Sequence, residues 1–78
     1  MTPAEIVEHY INRVAGTADM HALKSLRWRG IGAIHALQAS GLLTDAENAD
    51  ALNLFVDTCS AHHAELAAAS EDSEGDAQ

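Results

Sequence analysis

Apolar residues recur at helical spacing in three stretches of this chain. Ile6, Val7, Tyr10, Ile11 and Val14 share one stripe, with Glu5, Glu8, His9, Asn12 and Arg13 on the other side. Met20, Leu23, Leu26, Ile34 and Leu37 form a second ridge, in which Ala33 fills close contacts. Ala49, Leu52, Val56, Cys59, His63 and Leu66 follow a three-four alternation, the seam of a helix pair packed at a shallow angle, with Phe55 beside it. Leu54 falls on the opposite side, where Ala51 and Ala61 extend it into a candidate dimer face. From Ser70 onward Ser-Glu-Asp-Ser-Glu-Gly-Asp-Ala-Gln has no apolar period and reads as a disordered acidic tail.

The residues between the stripes place the helix ends. Thr2-Pro3-Ala4-Glu5 is a capping box with proline at the first helical position, where its missing N–H is not needed. Gly16 closes that helix, and Thr17 caps the next, with Asp19 in its first turn favouring the positive end of the helix dipole. Gly41 can take the left-handed conformation that ends a helix, which puts Leu37 and Leu42 at the two touching positions of a Schellman motif. Thr44-Asp45-Ala46-Glu47 is a second capping box. These signals predict helices over about 3–15, 18–40 and 45–69. The expected fold is an all-α, three-helix domain built on a long antiparallel helical hairpin, with residues 70–78 as tail.

Composition narrows what such a domain can do. At 78 residues it is a single domain near the lower limit for a lone core, so a homodimer is the natural expectation. The 47% apolar content leans on alanine, and only Tyr10, Trp28 and Phe55 are aromatic, which leaves little volume to enclose a substrate. Twelve acidic against four basic residues give a formal charge of −8, which opposes direct binding to nucleic-acid phosphates and fits a basic partner. Cys59 stands alone, so no internal disulfide forms. With no signal-peptide pattern and no apolar run of about 18 residues, the expectation is a soluble cytoplasmic protein without a membrane span.

One stretch departs from the acidic background. Lys24-Ser25-Leu26-Arg27-Trp28-Arg29 holds three of the four basic residues and the only tryptophan. Trp and Arg are enriched at protein interface hot spots, which points to a protein partner. Lys24, Arg27, Trp28 and Arg29 could also form a small regulatory nucleic-acid-binding module. In a purely structural account, Arg27 and Arg29 pair with acids on neighbouring helices while Trp28 covers the core edge. Gly30 and Gly32 follow, each costing about 1 kcal/mol against alanine in a helix interior. Close approach of the first helix or of a second subunit would offset that cost, as would a kink that creates a recognition surface.

A metal-dependent helical domain is the third reading. Cys59 and His63 are four apart on one helix face, with His62 adjacent. Folding about residues 42 and 43 sets residues summing to about 85 opposite one another and brings His21 alongside. Structural zinc takes four ligands with paired short spacings, and only one helix offers such a pair. The expectation is therefore no metal and no cofactor, with His21, Cys59 and His63 as the residues to watch. Cys59 with a nearby histidine is formally a nucleophile and base, but a thiol on a core seam is inert, and no phosphate loop or serine elbow is present. The expectation is a protein that is not an enzyme.

In size, charge, the Gly41-Leu42-Leu43-Thr44 turn and the acidic tail, the chain resembles the small, acidic, alanine-rich helical proteins of phages and mobile elements. That group includes anti-CRISPR and other anti-defence inhibitors. The segment Ser40 to Glu47 also resembles the glycine turn of short bacterial oligomerisation hairpins. The first resemblance implies a non-enzymatic inhibitor or adaptor that occupies the basic groove of a nucleic-acid-handling partner. Glu5, Glu8, Asp45, Glu47, Asp50 and Asp57 would supply charge, and Trp28 and Arg29 the anchor.

Overall fold

Three helices, α1 (Pro3–Gly16), α2 (Met20–Ala39) and α3 (Asp45–Ala77), pack each against the other two in the computed structural model of the chain. It describes the backbone of residues 1–77 and the side chains of residues 1–69, so the acidic tail expected over 70–78 lies outside the fully described residues. Among the described residues there is no strand, and no helix is long and apolar enough to cross a membrane.

Local chemistry sets the helix ends. In the first capping box, Thr2 Oγ1 accepts from the Glu5 N–H at 3.2 Å while the Glu5 carboxylate accepts from the Thr2 N–H at 3.4 Å. The α1–α2 junction departs from the expected one. Thr17 ends α1, in extended backbone with its N–H bonded to the Val14 carbonyl at 3.2 Å. Asp19 caps α2 instead, its carboxylate accepting from the His21 N–H at 3.1 Å, so the helix begins at Met20 rather than 18. An aspartate both accepts the hydrogen bond and places negative charge at the positive end of the dipole.

At the α2–α3 turn, Gly41 has φ of 75° and the Schellman pattern is complete. The Leu42 N–H reaches the Leu37 carbonyl at 2.9 Å and the Gly41 N–H reaches that of Gln38 at 2.9 Å. Thr44 and Glu47 then exchange bonds of 2.9 and 3.1 Å to start α3.

Contacts between α2 and α3 descend one helix as they climb the other. The Gln38 amide donates to the Asp45 carboxylate at 2.6 Å, Gly30 lies under Phe55, and Leu23 and Lys24 share a cleft with Cys59 and His63. The core holds Val7, Val14, Leu23, Leu26, Ile34, Leu37, Phe55 and Cys59, with Tyr10 edge-on to Phe55 at 6.5 Å. The first two predicted stripes thus face inward as expected.

The third stripe is rotated. Its inward positions are Asn48, Leu52, Phe55, Cys59, His62 and Leu66, whereas Ala49 and His63 are exposed and Val56 is half-buried. Both sets alternate three-four, and they differ by one residue at every second position. The structure chooses the set that centres Phe55, the bulkiest apolar side chain on the helix, over Gly30. A Cβ at Gly30 would lie within 3.0 Å of three Phe55 ring atoms. That close approach comes from α3, not from α1 or a second subunit, and it accounts for Gly30. Gly32 has nothing within 4 Å of the same construction, and nothing in the structure explains it. Ala51 packs on the core and so leaves the candidate dimer face, where Leu54 and Ala61 are exposed.

Candidate functional site

Helix α2 carries Lys24, Arg27 and Arg29 and no acidic residue, in a chain of charge −8. Its inward face is fixed by Leu23, Leu26, Gly30, Ile34 and Leu37. At about 100° per residue, Trp28 lies roughly 200° from Gly30 and so stands on the outward crest. It is 69% exposed, with the Arg27 guanidinium carbon 5.7 Å from its ring centroid. A cation over an indole face is attracted to the negative side of the ring quadrupole, which holds Arg27 and Trp28 together as one patch.

The crest is flanked by two open clefts. Toward α3, Leu23, Lys24, Arg27, Cys59, Ser60 and His63 line one of about 290 Å³. Toward α1, Arg13, Gly16, Thr17, Ala22, Ser25, Leu26 and Arg29 line one of about 320 Å³. These volumes sit at the small end of ligand pockets and suit a side chain or two rather than an enclosed substrate. All four basic residues of the chain line these clefts, and no lining residue is acidic. Among the described residues no Lys or Arg lies within 4.0 Å of a carboxylate; the pair that does form is His62 with Glu65 at 3.3 Å. Among the described residues, then, Arg27 and Arg29 pair with no acid, and Trp28 stands off the core.

The acidic candidates divide. Glu5, Asp45 and Glu47 serve the fold, the first and last in capping boxes and Asp45 as acceptor from Gln38. Hydrogen bonds from the Thr44 backbone N–H, and then from its side chain, hold the Glu47 carboxyl below its ordinary value. Glu8, Asp50 and Asp57 are exposed and take no part in these bonds.

The metal candidates are not brought together. Among the described residues no group of three or more His, Cys, Asp or Glu could hold an ion. His21 is exposed, His63 lies at the cleft rim, and Cys59 is buried. His62 turns into the seam instead, its Nε2 against the Thr17 carbonyl, which ties α3 to the α1–α2 junction. Burial pushes the Cys59 thiol above its ordinary range, opposed in part by Arg27, so the thiolate a nucleophile needs is disfavoured.

The sequence pattern does not point to every residue of these clefts: it puts Arg13 on the polar side of α1, gives Thr17 only a capping role, and singles out neither Ala22 nor Ser60. The observation that every base in an acidic chain is worth locating would have flagged Arg13; Ser60 carries no such signal. Comparison with models of known protein families, with curated proteins and with solved structures finds nothing that matches this chain.

Proposed function

We propose that this chain is a small non-enzymatic inhibitor or adaptor that binds another protein through Trp28 and the surrounding basic residues. The observation that carries this reading is the placement of Trp28. A chain with three aromatic residues uses Tyr10 and Phe55 in its core and leaves the largest, 69% exposed, in water. Folding gains nothing from that choice, whereas tryptophan beside arginine is the pairing that interfaces concentrate at their energetic centres. The anti-defence class suggested by the sequence fits a mechanism of this kind, in which occupation of a partner's surface replaces chemistry. Exposed Glu8, Asp50 and Asp57 add long-range steering toward a partner with a basic groove. A lone buried cysteine suits a reducing cytoplasm. Exposed Leu54 provides the apolar contact for a homodimer, and Leu54→Lys should then shift sedimentation to the monomer.

The test is affinity capture from bacterial lysate with the wild type beside Trp28→Ala/Arg29→Glu, read by mass spectrometry. One protein complex retained by the wild type and lost by the variant is the expected result. Equal capture by both would remove Trp28 as the anchor. Retention of nucleic acid alone, weakening steeply with salt, would favour the nucleic-acid module instead.

A further inference from the structure

The distribution of charge around Trp28 says what the partner presents there. Each cleft beside it holds two permanent cations: Lys24 and Arg27 on the α3 side, Arg13 and Arg29 on the α1 side. Each also holds hydroxyl donors, Ser60 in the first and Thr17 and Ser25 in the second. The first has Leu23 and buried Cys59 among its walls. A basic side chain in a chain with three acids per base could find a carboxylate partner cheaply, yet among the described residues none of the four does. Four cations with hydroxyl donors and no counter-ion among the described residues make a surface complementary to carboxylates on either side of an apolar contact.

We infer that the two clefts take the carboxylates of an acidic segment of the partner protein, laid across α2 with an apolar residue of that segment on Trp28. This rests on the protein-binding reading above and specifies its chemistry. The net charge of −8 does not oppose it at contact range. At physiological salt a charge is screened beyond about 8 Å, so a carboxylate seated in a cleft feels its two cations far more than acids elsewhere on the molecule. Arginine adds paired donors that match a carboxylate's two oxygens. A nucleic acid fits less well, because each strand of a duplex carries a phosphate about every 3.4 Å of helix axis and takes that charge past the four basic residues onto the acidic remainder. A protein segment can end its acidic run where the basic patch ends. With the acids steering toward a basic groove, the partner's surface carries both signs, which fixes the orientation of docking.

Trp28 is the only tryptophan, so its fluorescence reports on this surface alone. The probes are poly-L-glutamate, polylysine, and a thymidine oligonucleotide matched to poly-L-glutamate in charge, each titrated into the full chain at low and physiological salt. Lys24→Glu/Arg27→Glu and Arg13→Glu/Arg29→Glu run alongside, with circular dichroism confirming that each is folded. The expected result is a saturable change with poly-L-glutamate, no such change with polylysine, and about a tenfold weaker midpoint in each reversal variant. Tighter binding of the oligonucleotide, or an unchanged midpoint in the variants, overturns the inference. So does salt-sensitive dimerisation abolished by the same reversals, which would make a second copy the occupant. Lysate capture separates the two levels of argument. Capture lost in Trp28→Ala but kept in Lys24→Glu/Arg27→Glu sinks the acidic-segment inference and leaves protein binding through Trp28 standing; capture kept in both places the partner elsewhere and sinks the Trp28 surface along with the inference.

Discussion

Gly30 and Gly32 sit two residues apart in α2, and the structure assigns opposite signs to the same substitution. Neither has positive φ, so alanine fits the backbone at both, and each exchange gains about 1 kcal/mol of helix propensity. At Gly32 nothing lies within 4 Å of the new methyl, so that gain stands. Gly32→Ala should raise the melting temperature by about 4–8 °C, the shift 1 kcal/mol gives in a domain of this size. At Gly30 the methyl would overlap Cζ, Cε1 and Cε2 of Phe55. That ring is fully buried and held edge-on to Tyr10, so it cannot swing into solvent. Overpacking a tight core costs about 1–3 kcal/mol, and three overlapping atoms place this site at the upper end. Subtracting the propensity gain leaves Gly30→Ala less stable by about 2 kcal/mol. Urea melts followed by circular dichroism measure both variants. Adding Phe55→Leu, which removes the overlapping ring atoms, should make Gly30→Ala far less damaging than it is in the wild-type background, a coupling that a double-mutant cycle reads directly. If Gly30→Ala is as stabilising as Gly32→Ala, the packing of α3 on α2 described above is wrong.

Three further outcomes test other parts of the structure. Asn48 is buried and its Oδ1 has no partner among the described residues, so Asn48→Leu should stabilise by about 1–2 kcal/mol in urea melts; a loss of stability would mean that oxygen is satisfied. Because Thr44 holds the Glu47 carboxyl below its ordinary 4.5, that contact contributes fully above this value and fades as pH falls through the lowered one. Wild type should therefore lose more melting temperature than Glu47→Gln between about pH 5 and 3, and parallel pH profiles would contradict the capping argument. Iodoacetamide should alkylate Cys59 at least ~10-fold more slowly in the native chain than in urea, and more slowly still in Arg27→Ala, which removes the charge that favours the thiolate. Equal native and denatured rates would show the thiol is not in the seam.

Local sequence specifies the three helices and most of their ends. Both capping boxes and the Schellman turn at Gly41 are contacts between residues at most five apart, so composition at those positions is enough to specify them. It also showed that Lys24 to Arg29 stands apart from the acidic background. What it left open was rotation and juxtaposition. On α3 the sets containing Ala49, Val56 and His63 or Asn48, Phe55 and His62 fit the helical period equally well, each with one histidine, and apolar ranking favours the former over one that buries the Asn48 amide. Only the volume match between the Phe55 ring and the bare backbone of Gly30 decides between them. The same packing turns His62 inward, separates the metal candidates, and brings Arg13 from α1 into the cleft that holds Arg29. Those relations join residues far apart in the chain, and no local preference encodes them.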